Sequence, residues 1–194
     1  MLQPESALER RKRILEYELE YGPDLERRRQ ALLLEVEAAF GDVRKGDGIG
    51  IREASQWEAN YTANPQEMAA IAAARAADVE QKWQDVPAEY LKDLYTPFMW
   101  VDNQGFRFLI PAFIQYFLRA GWNIYDDSYD GIIEMTIRSL SGELYALDDL
   151  QLTSQQILCM KKFIEWVVDC SGLFMDQDFV VELLDWCSAR ILTS

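Results

Sequence analysis

Apolar residues recur at helical spacing along most of this chain. The clearest stretch has an apolar residue at Leu25, Leu32, Leu33, Val36 and Phe40. Such spacing is typical of an amphipathic helix with one buried face, and Gly41 is a natural stop for it. Residues 5–21, in contrast, carry many charges and only a thin stripe of leucines. Because Gly22 and Pro23 separate the two stretches, and proline suits a first helical position, the sequence predicts a charged helical arm over residues 1–22.

Capping residues mark the start of a further helix. Asn64 stands directly before Pro65 and three residues before Glu67. This spacing is typical of a capping box, in which a side chain and the backbone at a helix start satisfy each other. Apolar residues on one face continue the helical pattern, so the sequence predicts a helix from Pro65 to about Trp83.

The C-terminal part predicts two helices that contribute to a core. Thr153 and Gln156 have the spacing of a second capping box. The helix that follows them is apolar around most of its circumference as far as Cys170, which is typical of a buried helix. A last amphipathic helix is predicted to start near Asp176.

An aromatic block in the middle of the chain allows two structures. Apolar runs at 98–101 and 106–110 flank a polar turn. One interpretation is a small β-hairpin near residues 98–110; the other is a loop between helices, because a two-stranded ribbon is marginal alone. Pro111 is predicted to start the next helix. Taken together, the pattern predicts a mainly α fold, with a single compact helical domain over residues 23–194.

Composition and charge narrow the class of protein. Hydrophobic residues make up 49% of the 194 positions, which is enough for a core. No apolar run reaches the roughly 18 residues of a membrane span, so we expect a soluble, cytoplasmic protein that does not contact membranes. The formal net charge of −14 disfavours binding to nucleic acid and suits a protein partner with a basic surface.

The absence of histidine restricts the chemistry further. The sequence contains none, which removes the commonest general base and all histidine-based metal sites. Cys159, Cys170 and Cys187 stand among apolar neighbours and are predicted to be small core residues. We therefore expect no cofactor, and the balance favours a protein that is not an enzyme.

One acidic segment invites a metal interpretation. Four oxygen-bearing side chains have the spacing of a calcium-binding loop: Asp126, Ser128, Asp130 and Glu134. Ile137 stands where the last, bidentate glutamate should be, so an acidic surface turn is the favoured interpretation. Within this turn Asp126, Asp127 and Asp130 are predicted to contact a basic partner.

Arg107 is the most unusual charged residue, because it stands between Phe106 and Phe108. A buried guanidinium needs a partner. One interpretation is a structural ion pair with Asp78, Asp85 or Asp102. The other is a pocket for an anionic group or a partner side chain, lined by Trp83, Tyr95, Trp100 and Arg107.

Several of these features together resemble a family of uncharacterised bacterial proteins. The resemblance covers roughly residues 31–168 and depends on two motifs: Trp83 with Asp85-Val86-Pro87, and Gly105-Phe106-Arg107-Phe108 with Pro111-Ala112-Phe113. The chain departs from the pattern at Leu109, where the family usually has tyrosine. The resemblance implies a cytosolic bacterial protein and brings no catalytic residue with it.

Two functional predictions compete. The first is a non-enzymatic protein-interaction module, for example an immunity or antitoxin-like protein whose acidic surface neutralises a basic toxin. The alternative is a small-molecule-binding domain or enzyme that uses the pocket around Arg107. Self-association through the amphipathic N-terminal helices, giving a homo-oligomer, stays open.

Overall fold

The computed structural model describes residues 7–60, 64–93, 98–120, 136–139, 147–171 and 177–192. Within these ranges the chain is mainly helical and forms no β-strand, which confirms the predicted fold class. The helices are α1 (Ala7–Phe40), α2 (Ile51–Ala59), α3 (Pro65–Ala77), α4 (Ala88–Asp93), α5 (Asn103–Ala120), α6 (Ser154–Ser171) and α7 (Gln177–Leu192). Short 3-10 helices lie at Trp83–Asp85 and Leu147–Leu150, and residues 136–139 are also helical.

Helix α1 is one continuous helix of 34 residues, so the predicted break at Gly22 and Pro23 is wrong. Proline inside a helix removes a hydrogen bond and disfavours a helical conformation in the residue before it. That preceding residue is Gly22, whose missing Cβ relieves part of the clash. The predicted boundary at residue 22 therefore falls inside α1. The core-facing part of α1 includes Leu25, which is 2% exposed, whereas Leu19 is 82% exposed.

The predicted β-hairpin near residues 98–110 is also wrong. Residues 98–100 form a turn, and α5 starts directly after Asp102. Asp102 caps this helix: its Oδ1 accepts a hydrogen bond from the Gly105 amide at 2.7 Å, and its carbonyl accepts one from the Phe106 amide at 2.7 Å. Pro111 lies inside α5 and does not start a helix.

The core forms where α1, α5 and α6 pack together, and α7 packs on α6. Two hydrogen bonds fix α6 antiparallel to α1: the indole of Trp166 donates to the Leu25 carbonyl at 3.0 Å, and Gln156 donates to the Ala39 carbonyl at 3.0 Å. A run of neighbouring aromatic rings connects α5 to α6 through the centre, at Phe98, Phe106, Phe113, Phe117, Phe163 and Trp166. Burial of apolar surface is the dominant favourable contribution to folding, and large aromatic rings bury much of it.

Both predicted capping boxes form. Asn64 Oδ1 accepts hydrogen bonds from the amides of Gln66 and Glu67 at 3.0 Å each, and the Asn64 amide donates to Glu67 Oε2 at 3.1 Å. Thr153 and Gln156 exchange the equivalent pair at 3.0 and 3.3 Å.

Helix α3 ends earlier than its apolar pattern predicts, at Ala77 and not near Trp83. The next residue, Asp78, leaves the helical conformation and turns its carboxylate towards the start of α2, as described below. Trp83 lies in the following 3-10 helix, is 1% exposed and donates its indole N–H to the Phe40 carbonyl at 2.8 Å.

Candidate ligand-binding cleft at the start of helix α5

The loop between α1 and α2 is fixed against the first turn of α5. Asp102 Oδ1, which already accepts from Gly105, also accepts from the Ile49 amide at 3.1 Å. A Cβ added to Gly105 would overlap the Ile49 carbonyl oxygen, and one added to Gly48 would lie 2.7 Å from the Gly105 nitrogen. Only glycine allows such a close approach of two backbones. The loop and the helix start therefore form one rigid unit.

The start of α2 is held by a buried carboxylate from the end of α3. Asp78 accepts hydrogen bonds from the backbone amides of Arg52 at 3.0 Å and Glu53 at 2.8 Å, and its side chain is 2% exposed. It also faces the Arg52 guanidinium, which pairs with Glu80. A carboxylate at a helix N-terminus is favoured by the free amides and the helix dipole. Asp78 therefore has a structural role, because its carboxylate is used to hold the start of α2.

A cleft of about 390 Å³ opens beside this unit. Its polar lining residues are Asp42, Arg44, Asn103, Gln104, Arg107, Asp149 and Gln151, and its apolar ones are Val43 and Leu150. They come from three places: the loop after α1, the first two turns of α5, and the segment that leads into α6. Its volume lies in the lower part of the range usual for small-molecule sites, roughly 300–1,000 Å³.

Arg107 is half-buried in this cleft, and its buried Nε has no hydrogen-bond partner. No ion pair of the described residues includes it, so the predicted core pair with Asp78, Asp85 or Asp102 is not formed there. Asp78 and Asp102 are used for the helix starts described above. The interpretation that Arg107 has a purely internal partner therefore has no support among the described residues.

Other arginines of the described structure behave differently. Six of them form an ion pair with a carboxylate: Arg27 with Asp24, Arg28 with Asp169, Arg29 with Glu26, Arg52 with Glu80, Arg75 with Glu53, and Arg190 with Asp148. These pairs bridge helices or brace a single helix. The Arg52 pair, which is only partly exposed, lowers the pKa of the Glu80 carboxyl. Against this background, Arg107 is a candidate binding residue, because it lines a cleft and lacks a carboxylate partner among the described residues.

Backbone strain marks one of the residues that line the cleft. Gln151 has φ 51°, in the left-handed region. For a residue with a Cβ this conformation is unfavourable by roughly 1–2 kcal/mol. Strained residues of this kind concentrate at functional sites, and Gln151 lies between the 3-10 helix at Leu147–Leu150 and α6.

The structure distributes the predicted pocket residues differently from the sequence interpretation. Trp83 belongs to the core and borders a second, smaller cleft of about 250 Å³ with Ala112 and Tyr116. Arg107 lines the larger one. Trp100 is half-buried and packs against the core, and Tyr95 lies outside the described residues. The described structure does not bring Trp83 and Arg107 into one cavity.

The structure does not test the acidic residues predicted to bind calcium or a basic partner. The predicted calcium and partner residues all lie outside the described residues: Asp126, Asp127, Ser128, Asp130 and Glu134. In the part of the chain that the structure describes, no group of three or more metal-binding side chains comes together.

The described residues also lack an activated thiol. Burial raises the pKa of Cys159, Cys170 and Cys187 to about 12 in each case, so all three are protonated near neutral pH. Because the thiolate is the nucleophile, these residues act as apolar side chains of the core. Their prediction as core residues is confirmed by their burial.

These features define a mainly α protein with a polar cleft beside helix α5. A model of a family of unknown function, DUF6714, matches residues 28–184. The chain therefore belongs to this family, which confirms the predicted resemblance to an uncharacterised family. No curated protein and no solved structure matches the chain. None of the described helices combines the length and apolar character needed to cross a membrane.

Proposed function

We propose that this protein is a binding module that holds an anionic group of its ligand at Arg107. The observation that supports the proposal is the half-buried guanidinium itself, which lines a cleft of about 390 Å³ and lacks a carboxylate partner among the described residues. A charge that is partly removed from water is costly unless it is paired. A carboxylate or phosphate group of a ligand would supply that pairing, and arginine suits such groups because it donates two parallel hydrogen bonds.

The first turn of α5 adds donors to the same wall. Asn103 and Gln104 follow the capping residue, and the Asp102 side chain caps the amide of Gly105 and not theirs. Backbone amides at the first positions of a helix lack partners within the helix and point towards anions. The Asp102 carboxylate offsets part of the helix dipole, so the main positive charge in this wall is that of Arg107.

The charge of the whole protein makes the proposal specific. A net charge of −14 repels anions from most of the surface. Binding of a small anion would therefore depend on one local site, and removal of the charge at that site would weaken binding strongly. A general electrostatic attraction would not explain such binding.

The experiment compares two arginines of the same helix. Arg107→Met removes the proposed binding charge, and Arg119→Met removes an exposed charge near the end of α5. Succinate, citrate and inorganic phosphate are titrated at low ionic strength, and the melting temperature and the Kd are measured. Because a hydrogen bond to a charged group contributes about 1.5–3 kcal/mol, the Arg107 variant should bind about 10–150 times more weakly than the wild type, and the Arg119 variant should match the wild type. Equal binding by all three proteins would refute the proposal.

A second candidate function, contact with another protein, is supported by the N-terminal part of α1. Leu19 is 82% exposed and Tyr21 is 46% exposed, whereas Leu25 of the same helix is 2% exposed. Large exposed apolar side chains on one helix are a common feature of partner surfaces. We propose a basic partner protein, as the net charge predicts.

The test of this second candidate is a pull-down from lysate of the source cells at low and high salt. It compares the wild type with Leu19→Asp and with a control, Met68→Asp, in which the altered residue is also exposed. A stoichiometric partner that is lost only with Leu19→Asp would support the interaction, and a partner retained equally by both variants would contradict the role of α1.

A further inference from the structure

We infer that the cleft at Arg107 takes a small zwitterion, a compact amino carboxylate such as a free α-amino acid. The inference rests on the proposed anion site and adds a second charged group to the ligand. Its basis is that carboxylates and a guanidinium line one cleft, and that the described residues show no ion pair between them.

The carboxylates are those of Asp42 and Asp149. Both are exposed residues that line the same cleft as Arg107, and neither forms an ion pair within the described parts of the chain. The adjacent Asp148 shows the contrast, because it pairs with Arg190 at 2.6 Å. An ion pair between Arg107 and either carboxylate would require a distance within 4.0 Å, and the described structure contains none.

The remaining cation of the cleft does not neutralise these carboxylates either. Arg44 donates from Nη1 to the carbonyls of Gly41 at 2.7 Å and Val43 at 2.9 Å, and no carboxylate pairs with it among the described residues. The side chain is therefore held against the end of α1. The cleft combines two cationic and two anionic side chains, and their formal charges balance.

This balance argues against a polyanion. A nucleotide or another ligand with several phosphates would place negative charges in the same cleft as the Asp42 and Asp149 carboxylates. Repulsion between these like charges is unfavourable. A ligand with one carboxylate and one ammonium group would instead satisfy both kinds of side chain. The cation would lie towards the carboxylates, and the anion towards Arg107 and the first amides of α5.

The other lining residues suit a small polar molecule. The amide side chains of Asn103, Gln104 and Gln151 can both donate and accept hydrogen bonds, and only Val43 and Leu150 are apolar. The volume of about 390 Å³ lies near the lower end of the range usual for small-molecule sites. These features favour a compact polar ligand over an aromatic or lipid one.

The experiment measures which charges of the ligand are needed. The twenty proteinogenic amino acids are titrated into the full chain by calorimetry. The tightest binder is then compared with its N-acetyl derivative, which lacks the positive charge, and with the corresponding amine, which lacks the carboxylate. We expect each derivative to bind at least tenfold more weakly than the amino acid.

Variants assign each charge to its side chain. Asp149→Asn should reduce the preference for the free amino acid over its N-acetyl derivative, and Arg107→Met should weaken binding of both by about 10–150-fold. The controls are Asp185→Asn, an exposed carboxylate of α7, and Arg119→Met; both should bind like the wild type. Circular dichroism confirms that every variant is folded.

The outcomes separate this inference from the proposal on which it rests. If the N-acetyl derivative or succinate binds as tightly as the best amino acid, and Arg107→Met loses both, the anion site stands and the zwitterion is refuted. If the wild type binds neither amino acids nor simple anions, both are refuted. A tenfold preference for the zwitterion that depends on Arg107 and Asp149 supports the inference.

Discussion

Replacing Gly105 by alanine tests how the loop after α1 is joined to α5. Gly105 lies in the first turn of the helix, where intrinsic propensity favours alanine over glycine by roughly 1 kcal/mol. In the structure a Cβ at this position would overlap the carbonyl oxygen of Ile49 and stand 3.0 Å from Asp102 Oδ1. Neither atom moves easily, because one is backbone and the other holds two amides. The structure therefore predicts the opposite sign from helix propensity.

The expected change in the free energy of unfolding of Gly105→Ala is the sum of opposing contributions. Inserting a methyl group into a well-packed region costs about 1–3 kcal/mol. Moving the loop away weakens the hydrogen bonds that Asp102 accepts from Ile49 and Gly105, each contributing about 0.5–1.5 kcal/mol. After subtracting the propensity gain, Gly105→Ala should lower the free energy of unfolding by about 1–5 kcal/mol.

Urea denaturation followed by far-UV circular dichroism measures this difference. The control is Asn103→Ala in the same turn, an exposed position where the change should stay within about 0.5 kcal/mol. The denaturant slope should be the same for all three proteins, so that the midpoint reports stability. A Gly105→Ala protein at least as stable as the wild type would refute the close approach of loop and helix.

Three other predictions concern the described structure. Asp78→Asn should lower the free energy of unfolding by about 1.5–3 kcal/mol in urea, since a charge-assisted hydrogen bond at the start of α2 is weakened; an unchanged midpoint would contradict this. Gln151→Gly should be about 1 kcal/mol more stable than Gln151→Ala, because only glycine adopts φ 51° without strain, and equal midpoints would disprove it. The three cysteines, whose pKa burial raises to about 12, should resist a thiol reagent at pH 8 until the protein is unfolded; rapid labelling of the native protein would show the burial to be wrong.

The helix starts could be predicted from the sequence because their determinants are local. Asn64 and Glu67, like Thr153 and Gln156, are three residues apart and satisfy each other within one turn. No distant part of the chain is needed for such a pair. The same holds for the buried faces of α1 and α6, which follow directly from apolar spacing.

The helix breaks predicted at Pro23 and Pro111 were wrong, because tertiary packing determines whether the helix continues at these positions. The stretch of α1 around Pro23 is continuous with turns whose apolar residues pack against α6 and α5. In α5, Pro111 is buried among aromatic residues. Most positions of α5 are buried, so apolar residues follow one another almost without interruption in its sequence and resemble a buried strand.

The cleft could be predicted only in part. Arg107 drew attention because its neighbours in sequence are phenylalanines. Asp42 and Asp149, in contrast, are far apart along the chain and show no local motif, so only the three-dimensional structure brings them together with it. The left-handed conformation of Gln151 has no sequence signal either, since glycine and asparagine are the usual residues there.

The block Gly105-Phe106-Arg107-Phe108 contains three residues with structural roles and one candidate binding residue. Packing accounts for three of its positions: Gly105 allows the approach of the loop, Phe106 stacks on Phe98 with ring centroids 4.2 Å apart, and Phe108 is 1% exposed. The guanidinium of Arg107 has no comparable role in the described structure.

Arg107→Met should therefore leave the ligand-free protein at least as stable as the wild type. An apolar side chain of similar length keeps the packing of the arginine stem and avoids the cost of a partly buried charge without a partner. The melting temperature without ligand and the ligand affinity are measured on the same samples. If the variant loses more than about 1 kcal/mol of stability, Arg107 is a structural residue with an internal partner. If stability is retained while binding is lost, the arginine serves the ligand and not the fold.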